Sequence, residues 1–157
     1  MMTFTDLLKN RRSIRDFQDK NVPMNLIEEI LQESTLAPSA SNNQPCRFSI
    51  VHCRKTIKAL SDESKANLLE DYAGNKKSLL PQYIDMLKDE NFNVFYNAPC
   101  VIFIIGSKSV KSLDVDCALA ASYIMFSAVE RGLGTCWVNL GSNIRDPQSR
   151  ALLAIPD

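Results

Sequence analysis

Apolar positions near the start of the chain recur at helical spacing. Phe4, Leu7 and Leu8 share one face, and Thr3 with Asp6 has the spacing of a capping box. Lys9, Arg11 and Arg12 suit the C-terminal end of that helix. A second amphipathic helix is predicted to begin at Pro23, a residue at home in a first helical position. It carries Leu26, Ile27, Ile30 and Leu31 on one face and Glu28, Glu29, Gln32 and Glu33 on the other. Cys46 to Val51 reads as a strand. Residues 55–90 are charged and mostly helical in pattern, with interruptions at Gly74 and Pro81, and read as a surface excursion or lid. APCVIFIIG, Ala98 to Gly106, is a continuous apolar run, short for a helix and suited to a fully buried strand. DCALAASYIMFSAVERGLGT then predicts a helix capped by Asp116 and stopped by Gly132. That helix is apolar nearly all the way round, so core or a subunit interface must cover every side of it. TCWVNL reads as another strand, and Asp146-Pro147 opens a last short helix. Helices and strands interleave without a regular βαβ rhythm. The expected fold class is α+β, a mixed sheet flanked by helices, in a single domain over residues 1–157.

Composition narrows the function classes. With 157 residues, 45% of them hydrophobic, the chain can build a real core, and 18 basic against 18 acidic residues leave no net charge. That balance argues against nucleic-acid and acidic-membrane partners. No apolar run reaches the roughly 18 residues needed to cross a bilayer, and MMTFTDLLKNRR lacks the apolar core of a signal peptide. A cytoplasmic location is expected. The five cysteines are odd in number and include no Cys-x-x-Cys, which fits reduced, mostly buried thiols. His52 is the one histidine, a poor basis for a zinc site or a Ser-His or Cys-His hydrolase, so no metal is expected.

Three short segments carry candidate chemistry. PSASNNQP, Pro38 to Pro45, has no glycine, two stiffening prolines and a dense set of hydroxyls and amides. RRSIR alternates Arg11, Ser13 and Arg15; if extended, two fork-shaped cations flank a hydroxyl, which suits a phosphate, although these five residues alone favour a solvated basic helix end. GLGT lacks the third glycine of a dinucleotide fingerprint and follows a helix instead of opening one. It is more simply a helix stop and a tight lead into a strand. The acidic residues between 62 and 71 read as a solvated helix face.

Taken in order, RRSIRDF, the VP dipeptide and acidic helix, LAPSASNNQPCRFSIV, NAPCVIFIIG and DCALAASYIMFSAVERGLGTCW resemble the nitroreductase family of FMN-dependent oxidoreductases, from Phe4 to Asp157 with the poorest fit over about 55–90. The resemblance implies an intertwined homodimer with FMN at each of two interface sites. It implies that Arg11, Arg12, Ser13 and Arg15 grip the phosphate and ribityl hydroxyls. Pro38, Ser39, Ala40, Ser41, Asn42 and Gln44 would lie against a flavin bound mainly by the other subunit, and Trp137, Val138 and Asn139 would run past its ring. NAD(P)H would supply hydride to the flavin N5, which carries the chemistry without a protein acid or base, and a nitroaromatic, quinone or similar small molecule would accept the electrons. Same-fold alternatives are dehalogenation, dehydrogenation of peptide-derived rings, cleavage of the flavin, and a non-catalytic dimer. Asn139 stands where glycine is common, and Cys46 where an aromatic is most often found. Related chains continue past the IPD point into a further strand and an arm that crosses to the partner. The lack of that strand and arm implies weaker FMN binding and a less firm dimer.

Overall fold

The computed structural model describes residues 2–77 and 81–156, so the expectation attached to Asp157 as a chain end lies outside the described residues. In chain order the elements are α1 (Phe4–Asn10), α2 (Met24–Ser34), β1 (Arg47–Val51), α3 (Arg54–Gly74), α4 (Ile84–Lys88), β2 (Val101–Ile105), α5 (Leu113–Glu130) and α6 (Pro147–Leu152), with single 3₁₀ turns at Ala40–Asn42 and Pro81–Tyr83. Local chemistry sets several boundaries as expected. The Thr3 hydroxyl accepts the Asp6 amide at 3.2 Å, while the Thr3 amide donates to the Asp6 carboxylate at 3.0 Å. Asp146 accepts the amides of Gln148 and Ser149 ahead of Pro147. Gly132 adopts φ 72 just beyond α5, a conformation that glycine takes without the cost of a Cβ. Two boundaries differ. Pro23 sits one residue before α2, where its carbonyl accepts the amides of Leu26 and Ile27. Asp116 does not cap α5. Ser112 holds that position, and Asp116 lies inside the first turn, turned into the protein.

β1 and β2 pair antiparallel, with Arg47 opposite Ile105 and Val51 opposite Val101. Because side chains alternate across a strand, this ladder feeds two cores. Val51, Val101 and Phe103 join Ile57, Leu60, Leu87, Val94, Phe95, Ile144 and Leu153 on one face. Phe48, Ile50, Ile102 and Ile104 join Ile27, Ile30, Leu31, Ile124 and Ala128 on the other. This accounts for the unbroken apolar run in β2. The run is nonetheless only half-buried, because its outer edge borders a cavity. TCWVNL, expected as a strand, makes only one bridge among the described residues, a parallel one between Ser13 and Thr135. The cavity lies between this segment and β2, so the segment has no ladder to join.

The described residues of 55–90 do not form a surface lid. α3 inserts Ile57 and Leu60 into the first core, and its polar side chains hold neighbouring loops. Ser61 accepts the Val94 amide, Ser64 donates to the Leu140 carbonyl, and Asn67 donates to the Asn143 carbonyl. Lys65, 7% exposed, donates to the carbonyls of Asp89 and Phe92 at 2.6 and 2.9 Å. Nor are the acidic residues of this helix merely solvated: Glu63 accepts the amides of Arg145 and Asp146, and the Arg145 guanidinium, then Asn143, hold the Asp71 carboxyl below its usual range. α5 buries one stripe, Asp116, Ala120, Ile124, Ser127 and Ala128, largely against α2. At the far end of that contact Arg131 forks onto Glu33, which also accepts from the Ser127 hydroxyl.

Because Lys65 is a core residue, Lys65→Met should leave two backbone carbonyls unpartnered and lower the unfolding free energy by about 1–3 kcal/mol. Urea denaturation measures this; a midpoint equal to the parent's would show that α3 is peripheral after all.

Candidate functional site

The first group of expected site residues is assembled by the parallel bridge. The Ile14 amide donates to the Thr135 carbonyl at 2.9 Å, which lays the RRSIR segment alongside GLGT. Gly134 permits the approach: a Cβ there would stand 2.8 Å from Ile14 Cγ1. Arg54, Arg131 and Arg145 each pair with a carboxylate, but Arg11, Arg12 and Arg15 enter no ion pair among the described residues. Arg12 donates to the Arg11 carbonyl at 2.7 Å, and the Arg15 guanidinium stands 5.7 Å from the centre of the Tyr96 ring. Ser13 is exposed between them. The result is three cations without a carboxylate partner among the described residues, clustered about a hydroxyl on a segment bridged to Thr135, which lines a cavity.

That cavity has a volume of about 620 Å³. β2 forms one wall, α5 another, and Gly134 to Asn139 a third, so Trp137, Val138 and Asn139 all line it. Most of the lining is apolar, including Phe17, Phe95, Ile124 and Met125. Thr135 is among the lining residues, and its hydroxyl is buried without a hydrogen-bond partner. A buried hydroxyl without a hydrogen bond costs free energy unless something arrives to meet it. Trp137 is 53% exposed, an unusual state for so large an apolar surface.

The second group is the loop from Pro38 to Pro45. Its stiffness comes less from its prolines than from its backbone. Ser41, Asn42 and Gln44 have φ of 51, 54 and 46, a left-handed conformation that is strained for residues other than glycine and mildly tolerated by asparagine. Hydrogen bonds inside the loop hold that shape. The Gln44 amide donates to the Ser39 hydroxyl at 2.9 Å, the Gln44 side chain donates to Asn42 at 3.1 Å, and the amides of Asn42 and Asn43 bond back to Ser39 and Ala40. Asp116 anchors the whole. It is 3% exposed, and one carboxylate oxygen accepts the Ala40 amide at 3.0 Å while the other accepts the Ser112 hydroxyl at 2.8 Å. Its position in the first turn of α5 adds the favourable end of the helix dipole. Pro38, Ala40, Ser41, Asn42 and Gln44 are exposed, and Ser39 is half-buried.

The structure thus brings Arg11, Arg12, Ser13 and Arg15 together with Trp137, Val138 and Asn139. Pro38 to Gln44 is fastened to α5 through Asp116, and no hydrogen bond or ion pair joins this loop to the arginine group among the described residues. Sequence patterns missed Thr135 and Asp116. Thr135 looked like the lead into a strand, and Asp116 like a helix cap. Nothing local marks a carboxylate whose partner is 76 residues away. Among the described residues no cluster of histidine, cysteine, aspartate or glutamate could hold a metal ion.

Replacing Asp116 by Ala should orphan the Ala40 amide and free the strained loop. The expected outcome is a loss of about 1–3 kcal/mol in stability with faster proteolytic cutting inside residues 38–45; cutting at the parental rate would show that the loop holds its shape without this anchor.

The Nitroreductase family profile matches residues 8–157. A Methanothermobacter thermautotrophicus protein, provisionally named an NADH dehydrogenase/NAD(P)H nitroreductase, is 27% identical over 143 residues, 88% of this chain. The chain spans 62% of that relative's length. Among solved structures, a nitroreductase with bound FMN from Bacteroides fragilis superposes with a TM-score of 0.80 at 24% identity, covering 96% of this chain and 77% of that one. An FMN-dependent nitroreductase from Clostridium difficile R20291 is 30% identical, with a TM-score of 0.65 and coverage of 96% and 78%.

Proposed function

The chain belongs to the nitroreductase family, and from that premise we propose that it binds FMN and acts as an NAD(P)H-dependent oxidoreductase on a small acceptor such as a nitroaromatic or a quinone. The observation that carries this proposal is the bridge between Ser13 and Thr135, which ties the segment bearing three arginines without ion-pair partners among the described residues to a residue that lines an apolar cavity. A phosphate at one end of a molecule and a flat aromatic ring at the other ask for those two surfaces side by side. The residues present therefore fit the cofactor. The FMN dependence of the Clostridium difficile relative points the same way.

In this proposal Arg11 and Arg15 bind the phosphate through charge-assisted hydrogen bonds, with Ser13 and Arg12 beside them. Thr135 offers its hydroxyl to a polar group of the cofactor. Trp137, Val138 and Asn139 hold the backbone against the ring, and the apolar walls of β2 and α5 exclude water. When bound, the flavin supplies the chemistry, taking hydride from a reduced nicotinamide and passing electrons to the acceptor. The chain's own task is placement, and no side chain is assigned a proton transfer.

A second copy of the chain is part of the proposal. The loop carrying Ser39, Asn42 and Gln44 is bonded to α5 and, among the described residues, not to the arginine group, which supports a site that takes its arginines from one chain and its loop from the other. Exposed apolar surface supports this. α1 buries no residue, Phe4 is 67% exposed, and Tyr123 and Val115 of α5 also face outward. The helix expected to be apolar all round is fully buried on one stripe and half-buried over most of the rest, and a partner would complete its cover.

Losing one charge-assisted phosphate contact costs on the order of 1.5–3 kcal/mol. Arg15→Ala should therefore weaken FMN binding at least roughly tenfold, as read by fluorescence titration, while folding as the parent does. Anaerobic mixing of the FMN-loaded protein with NADH and with NADPH tests the activity: bleaching by either supports the oxidoreductase, and no bleaching by both overturns it.

A further inference from the structure

The five cysteines are free, and only two of them touch. Cys46 Sγ lies 3.5 Å from Cys117 Sγ, across 71 residues of sequence. Both positions are tied to the strained loop. Cys46 immediately follows Pro45, between the loop and β1, and Cys117 is the neighbour of Asp116, whose carboxylate holds the Ala40 amide. The loop is thus fastened to the first turns of α5 at two adjacent points: a hydrogen bond from Ala40, and a thiol contact that can become covalent. A disulfide needs the sulfurs about 2.05 Å apart, a shift of about 1.5 Å from the present contact.

We propose that Cys46 and Cys117 form a reversible disulfide that clamps the loop from Pro38 to Pro45 onto α5, with a low-molecular-weight disulfide such as glutathione disulfide as the oxidant. The step is an exchange in two parts. The Cys46 thiolate attacks one sulfur of the oxidant, forming a mixed disulfide and releasing one thiol. The Cys117 sulfur then attacks Cys46, forming the protein disulfide and releasing the second thiol. The two protein thiols lose two electrons and two protons, and the oxidant gains both to become two thiols. Burial, then the Cys46 thiol and the carboxylates of Asp114 and Asp116, push the Cys117 thiol up to about 12, so it is a weak nucleophile and Cys46 takes the first attack. Cys100, with its thiol pushed up to about 11 by burial, touches no other sulfur. This inference concerns the loop and α5 of a single chain and stands whether or not the protein binds a flavin.

Cys53 competes for the oxidant. It is exposed at the start of α3, and the Thr56 hydroxyl, then the amides of Thr56 and Lys55, lower its pKa. The test therefore uses the full chain carrying Cys53→Ser, which leaves four of the five cysteines. After incubation with glutathione disulfide and unfolding, the thiol count should fall from four to two. Peptide mass mapping should find Cys46 joined to Cys117, and dithiothreitol should restore all four thiols. With Cys117→Ser added, Cys46 should stop at the glutathione adduct. In the linked protein the amide exchange of Ala40 and Gln44 should slow by roughly tenfold or more. Four remaining thiols, a stable glutathione adduct on Cys46 with Cys117 still present, or a link to Cys100 or Cys136 would each overturn the pairing. Unchanged amide exchange in the linked protein would overturn the clamp.

Discussion

The antiparallel ladder between Arg47–Val51 and Val101–Ile105 is the constraint on which the other features hang. Five residue pairs divide the apolar side chains between two cores. A register slip of one residue would exchange the faces, sending Ile102 and Ile104 into the space packed by Phe103 and Val101. The same two strands also fix the candidate site. β1 begins where the loop from Pro38 to Pro45 ends, so the ladder sets where that loop leaves the body of the protein. β2 presents its outer edge to the cavity opposite Thr135 to Asn139. Core and site share one short piece of backbone.

Around that ladder, buried polar groups do the positioning that a larger sheet would otherwise do. Lys65 gathers the carbonyls of residues 89 and 92, Ser61 and Ser64 receive or reach backbone from distant loops, and Asp116 takes the Ala40 amide. Each of these groups is satisfied, which is what makes its burial tolerable. The Thr135 hydroxyl and His52 Nε2 are the exceptions among the described residues, and Thr135 is one of the residues that line the cavity. Strain is distributed in a similar way. Left-handed Ser41, Asn42 and Gln44 sit in the loop, and left-handed Tyr96 and Asn97 sit near Arg15, so most of the costly backbone is found at the two groups of candidate site residues, with Ala154 just beyond α6 the one other case among the described residues.

What was legible in the sequence was what depends on neighbours a few residues away. The capping box at Thr3 and Asp6, the Asp146 cap, the Gly132 stop and both ladder strands follow from local pattern. The family was legible because four blocks of site residues keep their order along the chain, though none of them alone is decisive. What was hidden depends on long-range partners. Lys65 looked like one charge among many in a polar helix, and only the fold brings two free carbonyls to it. TCWVNL has strand-forming residues but no described neighbour beyond Ser13. Asp116 and Cys117 sat in an apolar run whose pattern says nothing about Ala40 or Cys46. The loop from Pro38 to Pro45 was recognisably stiff, but its three left-handed residues are not the ones, glycines, that announce such a backbone.

Among the described residues the loop is bonded to α5 and not to the arginine group, and the central proposal is that one cofactor site takes residues from two chains. Hybrid dimers test this most directly. One chain carries Arg15→Ala, and the other carries Asn42→Ala and Gln44→Ala in the loop. If each site takes its arginines from one chain and its loop from the other, a hybrid has one site free of changes and one bearing all of them. Titration of the purified hybrid should then find one FMN bound with parental affinity per dimer, although neither parent variant binds it so. If each site is built within a single chain, both sites of the hybrid are damaged, and no FMN bound at parental affinity would contradict the account.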